Sequence, residues 1–127
     1  MSVSSPLKWI LASGLLLLAL SCGDPPAGNA TLGLGWTFVD GRRCADSGVE
    51  QVALTRPGEL TLIAEAHCPT GFGTPGLRLQ LHSGEHELQL SGVSAAQTVL
   101  YRRTFSVTLT PGTTLDRIVE LAFTGGL

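Results

Sequence analysis

The stretch Leu32-Gly33-Leu34-Gly35-Trp36-Thr37-Phe38 decides the fold. Large apolar side chains occupy every second position, and glycine or threonine stands between them. This period of two is typical of a β-strand that buries one face. The folded part of the chain is therefore predicted to begin with a strand whose Leu, Trp and Phe side chains enter a core.

The same alternation recurs along the rest of the chain, between groups of turn-forming residues. One further strand is predicted around Val52 and Leu54, before a turn at residues 56–59. The third strand is predicted to bury the face shared by Leu60, Leu62, Ala64, Ala66 and Cys68. The remaining predictions are a hairpin of Leu77–Leu81 with His86–Leu90, a strand from Val99 to Leu109 bent or bulged at Arg102-Arg103, and a last strand that directs Val119, Leu121 and Phe123 inward.

These patterns predict the fold class. About seven short strands, turn signals every 8–12 residues or so and no amphipathic helix are typical of an all-β domain. We expect an antiparallel two-sheet sandwich, formed by one domain over residues 32–127.

The first 24 residues predict where the protein works. Met1–Lys8 is short and carries one Lys, and Trp9–Leu20 is an apolar run of 12 residues. A membrane-spanning helix needs about 20 residues, so residues 1–21 are interpreted as a secretory signal peptide. Residues 23–31 are rich in Pro, Gly and small polar residues, so residues 22–31 are predicted to be a tether.

The end of this leader, Leu18-Ala19-Leu20-Ser21-Cys22, resembles the lipobox of bacterial lipoproteins. It departs from the commonest form, because Ala19 holds the place where Leu is usual. The resemblance implies that the Cys22 thiol receives a diacylglyceryl group and that the peptide before it is removed. It implies a lipid-anchored protein of the bacterial cell envelope, and Gly23 after the cysteine favours the outer membrane. The alternative is an ordinary secretory signal with a cysteine near its end by chance.

The charge after the leader excludes some partners. Residues 23–127 contain seven Arg and no Lys, against four Asp and six Glu, which gives a net charge of −3. A weakly acidic domain is expected to bind nucleic acid and anionic lipid headgroups poorly, because the charges repel. We therefore expect membrane contact through the lipid and no nucleic-acid partner.

Two cysteines follow Cys22, namely Cys44 and Cys68. In an exported domain, two cysteines suggest a disulfide, and the alternation directs Cys68 inward. The alternatives are two buried free thiols or, less well supported, a zinc site, because neither cysteine has a C-x-x-C partner.

The segment from His82 to Leu90, together with Val99-Leu100-Tyr101 and residues 108–114, resembles the second half of transthyretin-like sandwiches. These are the carboxypeptidase-regulatory-like and Cna B-type domains. Ser83-Gly84 stands where their motif has Pro-Gly, and His86 stands where it has Tyr. The front half, with Trp36-Thr37-Phe38 and residues 41–49, is similar to small bacterial lipoproteins that contain one such domain. The resemblance covers most of residues 32–124 and implies a transthyretin-like or Ig-like fold with a non-catalytic accessory role.

Few side chains are candidates for a site. Phe72, in a Gly/Pro-rich loop, is the best candidate for an exposed aromatic contact with a glycan or peptide. His82 and His86, beside Glu85 and Glu87, form the only dense titratable cluster and are the candidate metal ligands. The hairpin prediction disfavours a metal, because the i, i+4 spacing of two histidines serves best on a helix. Two arginine pairs could contact an acidic partner, namely Arg42-Arg43 and Arg102-Arg103.

The chain has no recognisable catalytic motif. No serine lies in a G-x-S-x-G elbow, and His67 beside Cys68 could form a thiol dyad only if Cys68 were free. We therefore expect a non-enzymatic protein without a cofactor, which serves as a structural or protein-interaction module of the envelope. The alternative is a glycan- or peptide-binding module that uses the loops at one end of the domain.

Overall fold

The computed structural model describes residues 28–125. Cys22, the predicted signal peptide and most of the predicted tether lie outside the described residues. The described chain contains seven strands, one short α-helix and one 3₁₀ helix. In chain order they are β1 (Asn29–Phe38), α1 (Cys44–Ser47), β2 (Gln51–Thr55), β3 (Ala64–His67), the 3₁₀ helix (Cys68–Gly71), β4 (Leu77–His82), β5 (Gly84–Val93), β6 (Val99–Leu109) and β7 (Thr114–Phe123).

Strands take up 58% of the structure and helices 8%, which confirms the all-β prediction and the number of strands. The strands form one sheet in the order β3-β2-β5-β6-β7-β1-β4. Its edge strands β3 and β4 lie close together, so the sheet is nearly closed and barrel-like rather than clearly divided in two. β1 begins at Asn29, three residues before the predicted start of the domain, because Asn29 already pairs with His82.

One strand pair departs from the antiparallel prediction. β1 and β7 run parallel, with Thr31 opposite Thr114 and Phe38 opposite Leu121. They are the first and last strands of the domain, so no short turn joins them and none imposes the antiparallel direction. All the other strand pairs of the described chain are antiparallel.

The predicted hairpin of β4 with β5 is wrong. β4 pairs with β1, whereas β5 pairs with β2 and β6. Only Ser83 separates the two strands, and a hairpin turn usually needs at least two residues. The chain instead turns a corner at Gly84, whose φ of 116° lies in a region that side chains rarely adopt.

The predicted third strand is too long. β3 contains only Ala64–His67, while Leu60 is 97% exposed and Leu62 is 51% exposed. After a turn at residues 56–59 the chain makes a loop, and it rejoins β2 only where the Ile63 N–H donates to the Leu54 carbonyl at 2.7 Å. The prediction that Cys68 points inward is confirmed, because Cys68 is fully buried.

The irregularity of β6 lies earlier than predicted. β6 is continuous through Arg102-Arg103. The register shifts between Gly92 and Val93 of β5, which leaves Leu100 as the extra residue on β6. The bulge therefore precedes the arginines that were expected to mark it.

The weakest join in the sheet lies between β6 and β7. These strands pair only through Tyr101–Phe123 and Arg102–Ala122. Beyond these pairs, side chains bridge the strands. Arg103 Nε donates to the Glu120 carbonyl at 2.7 Å, and Arg117 Nη1 donates to the Ser106 carbonyl at 3.5 Å. Both arginines occupy positions on the strand face that is otherwise apolar and points inward. The alternation of apolar residues is therefore interrupted where the two guanidinium groups bridge β6 and β7.

The core is centred on Trp36 and Tyr101, its largest fully buried side chains. Val119 and Leu121 are buried as predicted, but Phe123 is 58% exposed. Phe123 is the last residue of β7, so its side chain projects past the end of the core although it has inward parity.

Candidate functional site

The disulfide predicted from sequence is confirmed. Cys44 begins α1 and Cys68 begins the 3₁₀ helix, and their sulfurs are 2.04 Å apart. Inside α1 the Ser47 hydroxyl donates to the Cys44 carbonyl at 3.1 Å and accepts the Val49 N–H at 3.2 Å. The bridge joins the loop after β1 to the loop before β4, at one end of the barrel.

Phe72 lies in the loop that continues from the disulfide. The Gly73 N–H donates to the Trp36 carbonyl at 2.9 Å. The loop thus lies beside the last residues of β1, beyond the part of β1 that pairs with β4. Phe72 is half buried, and its ring centroid is 5.8 Å from that of Phe38. The side chain is thus less exposed than expected, and its role as a ligand contact stays a prediction.

Four aromatic rings form a row at this end of the barrel. Phe72 contacts Phe38, Phe38 lies 4.5 Å from Tyr101, and Tyr101 lies 5.3 Å from Phe123 between ring centroids. The last pair meets edge to face, an arrangement that the ring quadrupoles favour. We call these four residues, together with Asp40, the aromatic end.

Asp40 adds a charge to the aromatic end. The Tyr101 hydroxyl donates to Asp40 Oδ2 at 2.7 Å, and the Arg42 N–H donates to Oδ1 at 3.1 Å. The hydrogen bond from Tyr101 lowers the pKa of the Asp40 carboxyl group, and Arg42 Nε at 3.8 Å contributes in the same direction. Burial, and then the hydrogen bond to Asp40, raise the pKa of the Tyr101 hydroxyl. The Asp40 side chain is 35% exposed, so a ligand can reach its charge.

An open cleft of about 360 Å³ lies beside the disulfide at the same end. Its lining residues are Cys44, Ala45, Val49, Glu50, His67 and Pro69. The Gln51 amide lies 2.9 Å from His67 Nδ1, and an amide N–H can only donate there. His67 cannot form the thiol dyad considered above, because Cys68 is in the disulfide.

His82 and His86 are not brought together as a pair of ligands. His86 Nε2 lies 2.7 Å from the backbone carbonyl of His82, which can only accept, so this ring nitrogen is a donor. Across residues 28–125, no three or more His, Cys, Asp and Glu side chains are grouped so that they could hold a metal ion.

The two arginine pairs contact different parts of the domain. Arg42 is beside Asp40, whereas Arg102 Nε donates to the Ser91 hydroxyl at 3.4 Å and Arg103 bridges the seam. Their contact with an acidic partner stays a prediction.

Sequence reasoning did not find three members of the aromatic end. No sequence pattern singles out Asp40, and the alternation predicts that Phe123 points into the core. Tyr101, the only tyrosine of the chain, is the residue that could have been singled out, because a buried tyrosine hydroxyl needs a hydrogen-bond partner.

Comparisons with known proteins do not assign the chain to a family. No protein-family model matches the chain, and no curated protein matches its sequence. Within the part of the chain that the structure describes, no helix has the length and apolar character needed to cross a membrane.

Proposed function

We propose that this protein is a lipoprotein of the bacterial cell envelope, held in the outer membrane by acyl chains on Cys22. Its β domain acts as a non-catalytic structural or protein-interaction module. The observation that carries the proposal is the leader, in which the apolar run Trp9–Leu20 ends at Ser21-Cys22. Two or three acyl chains anchor a protein stably where a single chain binds only marginally.

The disulfide supports the proposed location. Disulfides persist in oxidising compartments and are rare in the cytosol. The bond Cys44–Cys68 closes a loop with a sequence separation of 24 residues. A domain that depends on such a bond is suited to a place outside the cytosol.

The pairing pattern supports the finer proposal of a transthyretin-like sandwich. The strands fall into a group β4-β1-β7 and a group β3-β2-β5-β6. Within the described residues, backbone pairing of strands joins the two groups only at Tyr101–Phe123 and Arg102–Ala122 of the β6–β7 seam. We interpret the groups as the two layers of a sandwich that remain in contact along one side.

Metabolic labelling with a palmitate analogue tests the anchor. We expect label on the unsubstituted chain and none on Cys22→Ser, which keeps the rest of the leader. Cys44→Ser is the matched control, since it removes a cysteine of the domain and should keep the label. Equal label on the unsubstituted chain and Cys22→Ser would refute the anchor.

Crosslinking tests the interaction module. A photo-crosslinking side chain is placed at Phe123, which is 58% exposed at the aromatic end, and at Ile118, which is 46% exposed on the same strand. In native envelope, we expect a discrete adduct with another envelope protein from position 123 and none from position 118. Adducts of equal yield at both positions would show that the aromatic end does not select a partner.

A second candidate function is binding of a glycan or peptide at the aromatic end. The observation that favours it is the exposed ring of Phe123 against Tyr101, whose hydroxyl contacts the carboxylate of Asp40. An apolar ring face beside a charged acceptor can contact both the C–H and O–H groups of a sugar. A glycan array and a thermal-shift screen on the Cys22→Ser chain test it. Binding that is lost on Phe123→Ala and kept on Ile118→Ala would support this function, and the absence of any binding would exclude it for the ligands screened.

A further inference from the structure

The chain enters the domain between two turns at the end opposite the aromatic end. The Ser83 N–H donates to the Gly28 carbonyl at 2.8 Å, and the Gly112 N–H donates to the Asn29 carbonyl at 3.0 Å. These bonds fix the first described residues against the turn at residues 82–84 and the turn at residues 110–113. The point at which the domain leaves its tether is therefore a defined place on its surface.

The loop between β2 and β3 lies toward the same end. Gly84 at the start of β5 pairs with Leu109, which ends β6 beside the turn at 110–113. β2 is antiparallel to β5, and it ends at Thr55 opposite Gln89. The loop at residues 56–63 thus leaves the sheet in the direction of the entering chain. We call this loop and the two turns, together with Gly28, the tether end.

The tether end exposes apolar side chains on a fixed loop. Leu60 is 97% exposed and Leu62 is 51% exposed. The Glu59 N–H donates to the Arg56 carbonyl at 3.0 Å just before Leu60, and Ile63 returns to β2 just after Leu62. Two leucines held outward by hydrogen bonds on both sides are placed to contact an apolar phase, because water is the least favourable surrounding for them.

The tether end has no basic cluster that would attract anionic headgroups. The turns at 82–84 and 110–113 contain no Asp, Glu, Lys or Arg, and the loop at 56–63 has one of each sign, Arg56 and Glu59. Glu85 and Glu87 follow the first turn at the start of β5. Contact of this end with a bilayer therefore depends on the apolar side chains of Leu60 and Leu62.

The short tether keeps this end of the domain near the bilayer. Five residues separate Cys22 from Gly28, so even a fully extended chain places Gly28 within about 22 Å of Cys22. β1 has ten residues and spans about 33 Å, so the aromatic end lies a strand length farther away.

We propose that Leu60 and Leu62 insert into the interface of the bilayer that holds the acyl chains of Cys22. This inference rests on the proposed lipid anchor. It orients the domain with its tether end on the membrane and its aromatic end facing away. Interfacial side chains of this kind reach about 5–10 Å into the headgroup and acyl boundary.

Tryptophan fluorescence in vesicles tests the proposal. The full chain is produced in a bacterial host, purified from membranes and reconstituted into phosphatidylethanolamine–phosphatidylglycerol vesicles, with and without brominated acyl chains. The variants are Leu60→Trp and, as the matched control, Val39→Trp, which is also an exposed apolar position, 52% exposed, beside the aromatic end. Trp36 is fully buried in the structure, and the emission of the unsubstituted chain is subtracted.

We expect the Leu60→Trp emission to shift to shorter wavelength and to lose most of its intensity with brominated lipid. The Val39→Trp emission should keep its wavelength and intensity. Vesicle flotation of the same samples separates the two proposals. If the protein floats and both variants are unquenched or equally quenched, the inserted loop is wrong and the anchor stands. If the protein does not float, the anchor is wrong, and the inserted loop is wrong with it.

Discussion

The indole nitrogen of Trp36 donates a hydrogen bond to the backbone carbonyl of Cys68, with 2.9 Å between the two atoms. Both residues are fully buried, and 32 positions separate them in the chain. The bond attaches the disulfide-bearing segment to β1 and gives the indole N–H its acceptor. It attaches the loop that carries Phe72 to the core.

Removing this donor should destabilise the domain. Trp36→Phe leaves the Cys68 carbonyl buried without its partner and leaves a space beside it. We expect the free energy of unfolding to fall by about 2–4 kcal/mol in urea titrations with the disulfide intact. The matched control is Phe105→Leu, a partly buried aromatic on β6 without such a bond, which should cost less. A loss for Trp36→Phe no greater than the loss for Phe105→Leu would contradict the role of the hydrogen bond.

The disulfide should contribute a further large part of the stability. Replacing both Cys44 and Cys68 by Ala removes a link that closes a loop of about 25 residues, for which the chain-entropy model gives about 3.5 kcal/mol. We expect a loss of that order in urea titrations, with far-UV circular dichroism that still indicates strands at low temperature. A loss below about 1 kcal/mol would mean that the unfolded chain is already constrained there.

Two glycines on one face of β1 should respond differently to the same substitution. A Cβ at Gly33 would lie 2.3 Å from Asp116 Oδ1, and a Cβ at Gly35 would lie 2.1 Å from the Thr74 carbonyl oxygen. The Asp116 carboxylate is the end of a side chain in an exposed ion pair with Arg78, so it can move aside. The Thr74 oxygen is backbone and cannot move without shifting its loop.

We therefore expect Gly33→Ala to cost less than about 1 kcal/mol and Gly35→Ala to cost more than about 2 kcal/mol in urea titrations. Because the exchange is chemically the same, each variant is the control for the other. Similar losses at both positions would mean that the loop at Thr74 yields as readily as a surface side chain.

The Tyr101–Asp40 bond should make stability depend on pH in the acid range. Since the folded-state pKa of Asp40 is lowered, its stabilising effect is present above the ordinary value of 3.8 and is lost as pH falls through the lowered pKa. Tyr101→Phe removes the main cause of the shift. We expect the stability difference between wild type and Tyr101→Phe to be largest near neutral pH and to shrink as the pH falls below about 4.

Urea titrations across this pH range measure the difference. Asp40→Asn is the control, because a side chain without a titrating carboxyl group should show no such change when it is combined with Tyr101→Phe. A wild-type to Tyr101→Phe difference that stays constant with pH would show that the hydroxyl stabilises the fold without acting on the carboxylate.

Particular residues show how far the sequence could predict the structure. The alternation identified β1 and the inward side of Cys68, because side-chain direction follows from the period of the strand alone. The same reasoning wrongly predicted that Leu60 and Phe123 are buried. Alternation tells which side of a strand a residue is on, but that side is buried only where the strand continues and packs against the core. Arg103 and Arg117 break the alternation at positions where β6 and β7 are bridged by side chains and not by backbone pairing.

The candidate site was less predictable than the strands. Tyr101 and Asp40 are 61 positions apart, and no local pattern relates them. The same is true of the row of rings, whose members come from β1, β6, β7 and the loop before β4. Only the residue types gave a signal, because a buried hydroxyl requires an acceptor somewhere in the fold.

The sequence by itself determined that this domain is built from strands, which face of most strands is buried and which cysteine points inward. These properties follow from a period of two and from chemistry within a few residues. The tertiary structure alone decided that β4 pairs with β1 rather than β5, that β1 and β7 run parallel, and that Tyr101 reaches Asp40. Strand partners are chosen by competition among distant segments with the same alternation, and that alternation carries no information on which segment becomes the neighbour.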